Sequence, residues 1–222
     1  MVQVNNASKL QANKSIEQHF EVCTEAEKHA RLLAILRRLQ SPTSGSQQRD
    51  GADEYAAMLA AQKTAAAGEA AESVHRVIIF ANSKRGCEYL RTDLKRRGFA
   101  AEALHGDKSQ QERDWALQQF KLGTARLLIA TDVAGRGLDV KDVRAVVNYD
   151  APQQAEDYVH RIGRAGRAGA TGESYTLLTP SDAAFAAEVA RMFRTAGTPL
   201  PRELLPYVRG GGDAGGGNRR WK

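Results

Sequence analysis

Apolar residues in this chain fall into short blocks with two alternating spacings. Arg76–Phe80, Phe99–Leu104, Leu127–Ile129, Arg144–Tyr149 and Gly172–Thr179 are compact, largely apolar runs. Such runs predict strands buried on both faces of a parallel sheet. Ile16–Cys23 alternates only loosely, through Ile16, Gln18, Phe20 and Val22, which suits an edge strand. Between these blocks the spacing turns helical. Glu25–Leu39 places Ala30, Leu33, Ile35, Leu36 and Leu39 on one stripe, with Thr24 as its cap. After Phe80, a helix opening at Ser83 carries Cys87, Leu90 and Leu94 on one face and ends at Gly98. Ser109 with Glu112 three residues later forms a capping box, before a helix whose apolar residues are Trp115, Leu117 and Phe120. Pro152 leads into a further helical stretch, and Thr179 or Ser181 starts another over Pro180–Arg194. Leu200–Val208 predicts a short last element. Strands alternating with helices at this interval imply an α/β fold in three layers, a mainly parallel sheet with helices on both faces.

Composition shifts mark what lies outside that core. Residues 1–15 are polar and Asn-rich, 41–73 join a loop-forming stretch to an Ala-rich one, and 210–222 read GGGDAGGGNRRWK. The middle stretch has few large apolar residues and predicts a flexible or partly helical spacer. The Gly-rich end predicts a flexible tail, either the start of an Arg-Gly RNA-binding region or a truncation remnant. With 222 residues the chain builds its own core, and its formal charge of +6 suits a polyanionic partner. Cys23 and Cys87 have no metal-ligand spacing and read as free thiols, and no stretch is apolar enough to span a bilayer. The expectation is an intracellular protein, of nucleus or cytoplasm or both, with no metal site of its own.

Candidate chemistry concentrates in ATDVAGRGLDV, at the end of the Leu127–Ile129 strand, and in HRIGRAGRAG from His160. Open α/β sheets bind ligands at the carboxyl ends of their strands. There Thr131 and Asp132 precede a glycine turn containing Gly135, Gly137 and Asp139. Arg161, Arg164 and Arg167 recur every third residue with glycines between them, a phosphate-facing edge of forked donors and accessible backbone. By contrast, no GxxxxGK[ST] loop and no paired acidic run after an apolar strand occurs.

Together these two segments resemble motifs V and VI of the DEAD-box RNA helicases of superfamily 2, and VIIFANSK resembles motif IV. HGDKSQQERDW resembles one branch of that family. The resemblance implies a C-terminal RecA-like domain over 16–209, preceded by the interdomain linker or end of the first domain at 1–15 and interrupted by an insertion at 41–73. It further implies half of an ATP site, with Mg²⁺ held by the missing N-terminal RecA-like domain. Arg164 and Arg167 would reach the γ-phosphate, Gly137 and Asp139 would contact the nucleotide, and His160 would couple to the acidic motif of the first domain. RNA would be met through its backbone by Ser83, His105, Gly106, Gln110, Arg113, Thr131, Asp132 and Arg136. For Ser83, the cap and the phosphate-donor readings stand side by side. Partners would be RNA, the first domain and regulatory proteins, with no membrane. Taken alone the chain would be no ATPase, while the full-length protein would be an ATP-dependent RNA helicase. Two departures from the family pattern stand out: Ala165 replaces a hydroxyl residue between the fingers, and Gly135, where Ala or Ser is common, is expected to loosen its turn. Alternatives are a domain of another superfamily 2 motor and a stand-alone RNA- or protein-binding module.

Overall fold

The computed structural model describes residues 16–40, 76–135, 140, 143–166 and 172–208. The linker, insertion and Gly-rich tail expected at 1–15, 41–73 and 210–222 lie outside the described residues. In chain order the elements are β1 (Ile16–Val22), α1 (Lys28–Gln40), β2 (Arg76–Phe80), α2 (Lys84–Arg96), β3 (Ala101–Leu104), α3 (Gln110–Leu122), β4 (Leu127–Ala130) and α4 (Asp132–Gly135). They continue with β5 (Val143–Asn148), α5 (Ala155–Ile162), β6 (Gly172–Leu178), α6 (Ala183–Thr195) and α7 (Leu205–Val208). The strands form a 6-stranded sheet in the order β1-β6-β5-β2-β4-β3, with every neighbouring pair parallel. The sequence thus anticipated both the parallel sheet and the edge position of β1.

Alternation along each strand feeds two separate cores. Val77 and Ile79 face one side, where α1 and α2 contribute Leu32, Leu36, Leu90 and Leu94. Ile78 and Phe80 face the other, where α3 contributes Phe120. On that same side, α5 and α6 cover Phe20 and Leu178 with Tyr158, Val159, Phe185 and Val189. Three layers result, as expected. Cys87 is fully enclosed, and burial pushes its thiol up to about 12.

Helix ends follow the predicted chemistry with local differences. Ser83 Oγ accepts from the Gly86 N–H at 2.9 Å, and Gly98 takes φ 88 beyond α2. Ser109 and Glu112 complete their capping box. Thr179, and not Ser181, opens the segment before α6: its N–H and hydroxyl donate to Asp182 at 2.8 and 2.7 Å. Thr24 does not accept as a simple cap, because its N–H and hydroxyl both donate to Glu27 at 2.8 Å. Two core expectations are corrected. Ala30 is exposed while Leu32, in line with Leu36 and Leu39, is buried. Trp115 is 52% exposed, because Ala116 and Phe120 make the stripe that α3 buries.

Candidate functional site

The carboxyl ends of β2, β4 and β5 lie side by side at the middle of the sheet, where the winding of the chain reverses. This is the position at which doubly wound sheets open a crevice. Arg161, from the last turn of α5, fills the space beneath it and is only 2% exposed. Its Nε and Nη2 donate to the two Asp132 carboxylate oxygens at 2.6 and 2.7 Å. Nη1 donates to the Asp150 carbonyl at 2.8 Å and Asn148 Oδ1 at 3.3 Å, and Nη2 to Asn82 Oδ1 at 3.0 Å. The guanidinium carbon also stands 5.0 Å from the Phe80 ring centroid. A lone buried charge would be prohibitive, whereas a bidentate pair with further acceptors is tolerated. One side chain therefore joins the turns after β2, β4 and β5 to α5. The spacing puts Arg161 on the same expected phosphate-facing edge as Arg164; its guanidinium is instead buried in a bidentate pair with Asp132.

Asp150 is a second junction. Its carboxylate accepts from the Asn82 N–H at 2.9 Å and from Lys28 Nζ at 3.0 Å. Burial pulls the Lys28 ammonium down, but bonds to Asp150 and Glu25 outweigh it and its pKa is raised.

Around this frame, Arg164, His160, Asp157, Asp132, Gly135 and Phe80 line a small cleft. Arg164 is half-buried in the turn that follows α5, where its N–H donates to the Arg161 carbonyl at 3.1 Å. His160 Nε2 lies 4.0 Å from Glu156. Gly135 packs against Phe80, and a Cβ there would come within 2.5 Å of the ring; the turn it is expected to loosen lies outside the described residues. Ala165 is buried, so the position of the absent hydroxyl is interior. Arg136, Gly137, Asp139 and Arg167 lie outside the described residues.

The residues expected at the RNA backbone separate into two groups. Gly106 is exposed, and an added Cβ would meet only Lys84 Cε at 3.8 Å. Gln110 is exposed, with Arg113 half-buried beside it and donating to its carbonyl oxygen at 3.4 Å. Ser83 and Thr131 stand at the ends of β2 and β4. His105 and Asp132 are different. His105 is 5% exposed, with Nε2 2.9 Å from Glu88, and both oxygens of Asp132 are engaged by Arg161. Both therefore hold neighbouring turns in place. Glu88 also binds Lys108 and Arg91 at 2.8 Å; burial raises its carboxyl, but Lys108, His105 and Arg91 bring it down to about 2.

Sequence reasoning passed over Asn82, Asn148, Asp150, Lys28 and Glu88. A signal existed for Asn148, a polar residue closing the apolar run VRAVVN, since buried polar groups require partners. None existed for Lys28, which reads as an ordinary helix charge.

Residues 60–169 match the helicase conserved C-terminal domain. Over 99% of its length the chain is 44% identical to DEAD-box ATP-dependent RNA helicase 14 of Arabidopsis thaliana. This chain belongs to the DEAD-box RNA helicase family. Within that family it corresponds to the C-terminal, RecA-like domain. The ATP-dependent RNA helicase-like protein DB10 of Nicotiana sylvestris is 41% identical, again over 99% of this chain. This chain spans about 30% of the length of the curated relatives it matches. Among solved structures, the RNA helicase Prp28 from Chaetomium thermophilum bound to ADP superposes with a TM-score of 0.65 at 32% identity, covering 87% of this chain and 40% of that one. SrmB of E. coli, bound to regulator of ribonuclease activity A, gives 0.62 at 27% identity over 85% of this chain and 93% of its own. No helix among the described residues is long and apolar enough to cross a membrane.

Proposed function

We propose that this DEAD-box domain supplies one wall of an ATP site that is completed by a separate N-terminal RecA-like domain, and one half of an RNA-backbone surface. The observation that carries the reading is the Arg161 brace, which fixes α5, with His160 in its last turn and Arg164 in the turn that follows, against the turn after β4. A guanidinium on a rigid turn beside a cleft fits a phosphate, and preorganisation of this kind is how charge developing in a transition state is stabilised. Arg164 and Arg167 act as arginine fingers on the γ-phosphate, Gly137 and Asp139 contact the nucleotide, and His160 couples to the acidic motif of the partner domain. Bound ATP with Mg²⁺, the ion held by that other domain, supplies the phosphoryl-transfer chemistry. An arginine finger is worth ~10³ to 10⁵ in rate, about 4 to 7 kcal/mol, so turnover waits for the two domains to close.

Ser83, Gly106, Gln110, Arg113, Thr131 and Arg136 meet phosphates and sugars, which makes binding salt-sensitive and independent of base sequence. His105 and Asp132 act on the same surface by positioning. ADP in the Prp28 structure supports the nucleotide assignment.

The test is RNA-stimulated ATPase of the two-domain protein carrying Arg164→Ala, with urea unfolding as the control for structure. The expected result is a loss of at least ~10²-fold at unchanged stability. Turnover within a factor of about two of the parent removes Arg164 from the reaction.

A further inference from the structure

The outer edge of β1 is open. Among the described residues β1 pairs with β6 alone and ends the sheet on that side. Cys23, just past the strand, donates its N–H inward to the Leu178 carbonyl at 2.8 Å. In a parallel pair, alternate residues turn their backbone groups to the same neighbour. Glu17, His19 and Glu21 therefore face β6 as Cys23 does, while the N–H and C=O groups of Gln18, Phe20 and Val22 face outward. None of these three has an outward backbone partner among the described residues. An uncovered edge of this kind is a template for one more strand.

A groove of about 470 Å³ runs beside that edge. Ile16, Phe20, Phe193, Pro199, Leu200 and Pro201 supply its apolar walls. The Gln18 side chain, which also borders it, already accepts from the Tyr158 hydroxyl at 2.6 Å. Glu203 at the groove is exposed, and so are Arg194 and Arg202 beside it, so charge does not select the occupant. Shape and backbone spacing do. Apolar walls next to strand-spaced donors and acceptors fit an extended peptide carrying a large apolar side chain.

We propose that residues 9–15 of this chain turn back antiparallel along the outer edge of β1 and seat Leu10 in the groove. The segment joins the fold at Ile16, itself part of the groove wall. Leu10 precedes Ile16 closely enough to lie within ~20 Å of it even when fully extended. It is the one large apolar side chain between Asn5 and Ser15. Ala12–Ser15 give a loop of a length common in hairpins, and Asn13 suits its turn. The direction of the chain favours the same path. All strands point toward the crevice, so β1 starts at the far end of the domain, about 23 Å back along the strand. A chain arriving from a first domain at the crevice travels that length antiparallel to β1, beside its open edge. This last point rests on the crevice reading; the groove and the open edge do not.

The experiment is amide hydrogen exchange by NMR on the 222-residue chain, without RNA or nucleotide. Four proteins are compared: the parent, Leu10→Asn, the chain lacking residues 1–12 and the chain lacking residues 209–222. The amides of Gln18, Phe20 and Val22 are expected to exchange slowly in the parent, and Leu10 methyls to show cross-relaxation with the Phe193 ring. Leu10→Asn gives up one buried leucine and lowers protection at the three amides by at least ~10-fold. Removing residues 1–12 has the same effect, while Ile78 and Val146 in the central strands keep parent-like protection in both. Fast exchange at the three amides in the parent overturns the proposal, as does protection that survives Leu10→Asn or the N-terminal truncation. Protection lost on removing 209–222 assigns the edge to the tail, and protection that rises with protein concentration assigns it to a second copy; either result also overturns it. Because no nucleotide or RNA is present, failure here leaves the crevice reading to its own ATPase test.

Discussion

Replacing Arg161 by Met removes the donor fork while keeping similar side-chain volume. The change strips the bidentate pair from Asp132 and the donors to Asn82, Asn148 and the Asp150 carbonyl. Breaking a buried ion pair from one side costs about 3 to 5 kcal/mol. The Asp132 side chain retains 27% exposure and regains part of its hydration, which puts the expected loss near the lower figure, about 3 kcal/mol. With a urea m-value of about 2 kcal/mol/M, the midpoint moves down by about 1.5 M. Arg161→Lys keeps the charge but offers one compact donor group instead of a planar fork, so it still loses about 2 kcal/mol. Adding Asp132→Asn to Arg161→Met removes the orphaned carboxylate and returns at least about 1 kcal/mol. The assay is equilibrium urea unfolding followed by circular dichroism. A midpoint shift under about 0.5 M for Arg161→Met, or parent-like stability for Arg161→Lys, would refute the brace.

Gly135→Ala gains about 1 kcal/mol of helix propensity but drives a Cβ to 2.5 Å from a Phe80 ring that the core and Arg161 both hold. Overpacking at about 1 to 3 kcal/mol outweighs the gain, so thermal unfolding shows a net loss, and an unchanged or raised Tm contradicts the packing argument. Glu88 is depressed to about 2 in the folded protein, against about 4.3 in an unfolded chain. Its contribution to stability is therefore fully present above about pH 4.3 and lost as pH falls through about 2. Urea midpoints between pH 5 and 2.5 accordingly decline less steeply in Glu88→Gln than in the parent; equal slopes place the acid sensitivity elsewhere.

Local rules made much of this domain legible. Capping at Ser83 and Ser109, the Gly98 stop and the uninterrupted strands at Ile78 and Val146 depend on near neighbours and on which side chains avoid water, and all were visible along the chain. Motif residues such as Arg164 and His160 were visible for a related reason: their spacing is fixed within a few residues. What the linear pattern misassigned was the partner of each charge. Arg161 and Arg164 look equivalent, three apart in one basic run, yet one is 2% exposed and paired with Asp132 while the other is half-buried in the turn after α5. His105 and Asp132 likewise looked outward and turned inward.

The sequence by itself determined that six apolar blocks would become parallel strands. Only the tertiary structure decided which cation became the brace. That choice depends on Asp132, Asn148, Asp150 and Asn82 converging from different strand ends on a single guanidinium. Pairing and desolvation are set by three-dimensional neighbours, whereas strand and helix formation are set largely by adjacent residues.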